Sequence, residues 1–172
     1  MADCSVRHWD MRGIAGISLL EVMVAMLLLS VGLSSSFSLQ SLGMQTSASA
    51  NFRTIATMLG DDAIERVHSN YAGFLAGGYD SKGGGATNDC FSESGCTAMQ
   101  LAHTDLGQLR EFISDNLPEG GLAICRDSTP YDGDSVSPAC DGLGGLLVVK
   151  IWWHDVHDLE KETLHVASSS LP

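Results

Sequence analysis

"GISLLEVMVAMLLLSVGL" occupies residues 16–33. From Ile17 to Leu33 the stretch is apolar except at Ser18, Glu21, Ser30 and Gly32. That is slightly short of the ~20 apolar residues with which a helix crosses a bilayer. Glu21 lies inside it, and a carboxylate in hydrocarbon costs at least ~2.5 kcal/mol. A secretory signal peptide shares part of this outline, with small residues after an apolar core. "SVGLSSSFS" offers such residues, and cleavage there would start the chain near Ser38. A carboxylate within the core counts against that reading and favours a retained anchor.

Reading on from the stretch, the helical pattern barely breaks as far as Asn70, and no proline occurs before Pro118. Phe52, Ile55, Leu59, Ala63 and Val67 recur at helical spacing and form one apolar stripe. A single helix of ~50 residues would run roughly 75–80 Å at 1.5 Å per residue. Gly43 and the serines at 34–36 are places where it could bend. Its first half is apolar all round and its second half amphipathic. That describes a helix that starts in lipid and ends against a globular head.

The head reads as α+β. "AGGYDSKGGGATNDC" (residues 76–90) is a glycine-rich connection without the G-x-x-x-x-G-K-[ST] of a phosphate loop. In "CTAMQLAHTDLGQLREFISDNLP" (96–118), Met99, Ala102, Leu106, Leu109, Ile113 and Leu117 lie three or four apart. This predicts a second helix with Thr104 or Asp105 as cap and Pro118 as stop. Strands are expected at 120–127, at "LLVVKIWWHD" (146–155) and at 163–168, with a turn over 156–162. The expected fold is a helix spine on about three antiparallel strands, with no internal repeat.

The 172-residue chain carries a formal charge of −12 and no Lys/Arg-rich run. Nucleic acid, which is bound by neutralising phosphates, is not an expected partner. Attachment to anionic lipid by charge is not expected either. Of five cysteines, Cys4 precedes the apolar run, while Cys90, Cys96, Cys125 and Cys140 follow it. Four cysteines in an oxidising compartment suit two disulfides, and three pairings remain open. Their spacing lacks the paired C-x2-4-C knuckles of a zinc site.

Gly16–Ile17–Ser18–Leu19–Leu20–Glu21–Val22 resembles the processing motif of type IV pilins and pseudopilins, with Ile17 where Phe is commonest. The resemblance implies that a prepilin peptidase cuts between Gly16 and Ile17 and methylates the new amino terminus of Ile17. Residues 1–16 are then a leader, 17–40 the transmembrane and filament-core helix, and 41–172 a periplasmic head. Met11 opens "MRGIAG", a short basic leader of the kind this family uses, so translation could start there. Removing residues 1–16 leaves the charge at −12, because they hold two arginines and two aspartates. Glu21 becomes the fifth mature residue. Its physical use is register: in a low-dielectric bundle a carboxylate facing a neighbour's terminal ammonium is compensated, and a misplaced subunit leaves both charges unpaired.

"LLEVMVAMLLLSVGLSSSFSLQ" resembles a PilV-type minor pilin, and the family's usual Pro at mature position 22 is here Ser38. The segment from Cys96 to Gly121, with Leu109 in place of the usual Trp, and "VVKIWWHD" continue the likeness. It implies disulfides Cys90–Cys96 and Cys125–Cys140, and a pilin-like α+β fold. It also implies a place in the inner membrane with the head in the periplasm, and at the pilus tip after assembly. The partners implied are other minor pilins and pilus subunits, in a complex that primes assembly; a tip adhesin is a further candidate. A minor pseudopilin of a type II secretion system shares the N-terminal motif. A membrane-anchored periplasmic receptor or enzyme is the alternative of another class.

Weaker candidates have plainer readings. On a strand His154 and His157 would face opposite sides and not converge on a metal; the alternative is that they flank a turn. Asp132, Asp134 and Asp141 cluster without the spacing of a calcium loop and read as a solvated turn. Trp152 and Trp153 should alternate, one in the core and one exposed as a partner contact. No catalytic constellation, metal site or cofactor site is expected.

Overall fold

The structure, a computed structural model, describes residues 18–79, 90, 92–93, 95–156 and 158–170. Helix α1 (Leu19–Ser69) is continuous over 51 residues. Glu21 lies in its first turn and Arg66 and His68 in its last, which complements the helix dipole at both ends. Asn70 then caps the short helix α2 (Tyr71–Leu75), its side chain accepting from the Gly73 amide at 3.3 Å. The chain divides into two compact units, one ending at Gly43 and one beginning at Met44.

In the second unit, α3 (Ala98–Asn116) starts at a capping box. Gln100 N donates to Thr97 Oγ1 at 3.3 Å, and Thr97 N donates to Gln100 Oε1 at 2.9 Å. Thr97 is therefore the cap. Thr104 and Asp105, expected in that role, are buried within the helix. A threonine with glutamine three residues on satisfies two orphan amides at once, which a mid-helix threonine cannot do. Leu117 and Pro118 end α3, as expected.

Strands β1 (Gly121–Arg126), β2 (Leu146–Asp155) and β3 (Asp158–Ser170) form an antiparallel sheet in that order. β3 begins earlier than expected: Asp158 pairs with Asp155 and Glu162 with His154 across an irregularity in the register, so the strand takes in most of the expected turn. Main-chain pairing, helped by the Ser135 amide donating to Glu162 at 3.0 Å, outweighs the low strand preference of the charged residues.

β2 is central, and its near-continuous apolar run reflects cover on both faces. On one face, Leu147, Val149, Ile151 and Trp153 meet Ala56, Leu59, Ala63 and Val67 of α1 and Ala102, Leu106, Leu109 and Ile113 of α3. The stripe read from sequence on α1 is thus largely the core side of the helix. Gly60 makes close approach possible: a Cβ there would lie 2.8 Å from the Ala167 Cβ on β3. The other face of β2 carries Val148, Lys150 and Trp152, all buried. Trp152 therefore departs from expectation, since both tryptophans are only 1% exposed. The segment after β1 covers this face, with Ser135 packed beside Gly121, the cross-strand partner of Trp152.

Candidate functional site

The first candidate is the start of α1. Ser18 O accepts from Glu21 N at 2.9 Å and from Val22 N at 3.3 Å, which opens the helix. Glu21 follows within its first turn, where the dipole favours a negative charge. Gly16 and Ile17, the expected cleavage and methylation positions, lie outside the described residues. Around Glu21 the surface is apolar, with Leu19, Leu20, Val22, Met23 and Met26 exposed. No cation among the described residues pairs with the carboxylate.

An exposed helix that is apolar all round needs lipid or other helices about it. The serines of this segment fit such surroundings. Ser34 and Ser35 donate to Ser30 O and Val31 O at 2.9 and 3.1 Å. Ser36 and Ser38 donate to Gly32 O and Ser34 O, each at 3.2 Å. Each hydroxyl is satisfied within the helix, as hydrocarbon requires. By length and composition α1 is able to cross a membrane. Glu21 remains the charge that this segment cannot neutralise for itself.

The second candidate region is the head, where the cysteines close two loops. Cys90 is bonded to Cys96 with Cα atoms 4.8 Å apart, just before α3. Cys125 is bonded to Cys140 with Cα atoms 6.2 Å apart, which ties the covering segment back to β1. Beneath that segment lies Lys150. Its ammonium is 2.5 Å from Asp127 Oδ2 and 2.9 Å from Asp132 Oδ1. It also donates to Asp132 O at 3.0 Å and to Pro138 O at 2.8 Å. Burial pushes the Lys150 ammonium down, but the bonds to Asp127 and Asp132 outweigh this and raise its pKa overall. The bond from Lys150 holds the Asp132 carboxyl below its ordinary range.

The three aspartates considered for calcium do not converge. Asp132 serves Lys150. Asp134 Oδ1 accepts from the amides of Val136 at 3.0 Å and Ser137 at 2.6 Å. Asp141 accepts from the Ser128 hydroxyl and from Leu143 N at 2.7 Å, and the Ser128 bond lowers its pKa. These are the bonds of a loop folding on itself. His154 Nδ1 lies 3.4 Å from a Glu119 oxygen, and His157 lies outside the described residues.

Sequence reasoning missed two polar clusters. One is Lys150 with Asp127; a lone lysine inside "LLVVKIWW" was the legible signal. The other joins α1 to α3. Arg66 donates to Asp62 at 2.9 Å, Asp105 at 3.2 Å and Gln108 at 2.8 Å. Tyr79 donates to the other oxygen of Asp105 at 2.6 Å, and Asn70 donates to Ala98 O at 2.8 Å. Burial, with the Asp105 bond, raises the Tyr79 phenol above its ordinary value.

Residues 11–37 match the family described as the prokaryotic N-terminal methylation motif. The match covers the segment around Gly16, Ile17 and Glu21 and stops well short of the head. The start of the chain is thus similar to type IV pilin-like prepilins, pilins and pseudopilins alike. No curated protein and no solved structure matches the chain significantly.

Proposed function

We propose that the chain is a minor pilin of a type IV pilus, of PilV type, which primes filament assembly within a complex of minor pilins at the tip. The observation that carries this reading is the methylation motif over residues 11–37, whose residues from Leu19 onward lie on a helix whose apolar surface is broken by Glu21. An anchor meant only for lipid gains nothing from a carboxylate. A helix that bundles with neighbours gains register from one, because only the correct axial position offers it a terminal ammonium. The α+β head and its two closed loops support the pilus over a secretion pseudopilus through their likeness to the PilV pattern.

In this reading prepilin peptidase cuts between Gly16 and Ile17 and methylates Ile17. The protein waits in the inner membrane with its head in the periplasm, and Glu21 selects the register on assembly. It is an enzyme's substrate and a structural subunit. Mass and N-terminal sequence of the mature protein from native membranes test the reading. A chain starting at Ile17, about 14 Da heavier from one methyl group, is expected. An intact leader, or a start near Ser38, overturns it.

A further inference from the structure

The head carries an apolar groove between α1 and α3. Ile55, Met58 and Leu59 form one wall and Leu109 and Phe112 the other, around a volume of about 380 Å³. Met58 is 67% exposed and Phe112 50% exposed. One end is closed by Arg66, held by Asp62, Asp105 and Gln108. Apolar side chains this open, gathered in one groove beside a well-filled core, offer a surface that a partner can cover.

The rim states the charge of what covers it. Asp62 lines the groove, and Glu65 stands one turn further along α1. On α3, Glu111 follows Gln108 by three residues and Asp115 follows Phe112 by three, so both flank the outer edge. All four carboxylates are exposed. The cation at the site, Arg66, is already taken up by Asp62 and Asp105. A second copy of this chain, with a formal charge of −12, is repelled by such a rim. An anionic lipid surface is repelled in the same way.

We propose that this groove seats the apolar stripe of a partner subunit's helix whose flanks carry lysine or arginine. The biological role rests on the reading of the chain as an assembly subunit. The groove's chemistry is testable without it. Two or three aliphatic side chains spaced three and four apart fill the space between Met58 and Phe112. Basic residues on either side of that stripe reach Glu65 on one helix and Glu111 and Asp115 on the other.

The test uses the full chain in detergent and two synthetic helical peptides with the same leucine stripe, one flanked by lysines and one by glutamates. Calorimetric titration should show binding of the lysine peptide that weakens as salt rises. The glutamate peptide should bind at least about tenfold more weakly. Glu65→Lys with Glu111→Lys should reverse the preference, and Phe112→Ser should weaken the lysine peptide by about tenfold or more. All three positions are exposed, and a melting curve checks that the variants fold. Equal binding of both peptides, no binding of either, or a preference unmoved by the charge reversal overturns the proposal. Self-association of the chain through Phe112 in sedimentation, with no uptake of the lysine peptide, overturns it in favour of a second copy. An unmethylated Ile17 would remove the pilin reading while leaving these results intact, so the two failures are distinguishable.

Discussion

Lys150 Nζ and Asp127 Oδ2 form an ion pair 2.5 Å long, with both side chains at 0% exposure. Lys150 projects from the middle of the central strand, and Asp127 stands just after β1. The pair fastens the covering segment to the sheet face that carries Trp152. Breaking a buried pair by removing one partner leaves a bare charge and costs about 3–5 kcal/mol. Replacing both partners with apolar residues removes that charge.

Lys150→Met should therefore lower the stability of the head by about 3–5 kcal/mol in denaturant unfolding, and Lys150→Met with Asp127→Leu should recover most of it. The pH dependence has two limbs. The Lys150 ammonium is raised, so its contribution is complete below about pH 10.4, the unfolded value, and is lost as pH climbs through the higher folded one. The Asp132 and Asp141 carboxyls are lowered, so theirs is present above about pH 3.9, the unfolded value, and is lost as pH falls through the folded ones. Asp141→Asn should flatten the acid limb, and Lys150→Met the alkaline limb, in unfolding curves collected across pH.

The Cys125–Cys140 bond closes the same segment. A closed loop of about 15 residues contributes about 3 kcal/mol through the unfolded chain. Cys125→Ser with Cys140→Ser should lower stability by about that amount. It should also shift tryptophan emission to the red, because Trp152 loses its cover and Trp153, on the core face, keeps its own. Emission unchanged in the double variant would show that the Lys150 ion pairs and the Ser135–Glu162 bond hold the segment down without the disulfide.

Gly60→Ala sets two effects against each other. Alanine favours a helix by about 1 kcal/mol over glycine. Its Cβ would lie 2.8 Å from Ala167 Cβ, so α1 or β3 must shift, and such overpacking costs about 1–3 kcal/mol. The net change should be a lower melting temperature. Gly60→Ala combined with Ala167→Gly relieves the contact and should recover part of the loss.

Glu21→Ala should leave the melting of the head unchanged, since Glu21 is exposed and belongs to the other unit. Under the pilin reading it should leave leader removal at Gly16 intact and sharply reduce incorporation into sheared filaments. Glu21→Gln keeps the shape without the charge and should fail in the same way. Full incorporation of either variant would remove the register role.

The elements whose identity is local were legible in the chain. The apolar run with Glu21 marked the exposed first part of α1, and the stripe from Phe52 to Val67 marked the core side of the same helix. Leu117–Pro118 stopped α3, and "LLVVKIWWHD" bounded β2 at the residues observed. The cap at Thr97 was missed in favour of Thr104 or Asp105, although Gln100 three residues on is its local signal. Hydrophobic period and capping chemistry act over a few residues, so they are written in order along the chain.

What only the tertiary structure decided depends on residues far apart in that order. Alternation along β2 places Trp152 and Trp153 on opposite faces, but whether the second face meets water is set by the segment that folds over it. That segment is held by Asp127 and Asp132 on Lys150, Ser135 on Glu162 and the Cys125–Cys140 bond. The groove between α1 and α3 exists because Arg66 spans the two helices while Phe112 and Met58 stay outside the core. A charge finds its partner by distance in space, at an energy that burial sets, and neither quantity is carried by position in the sequence.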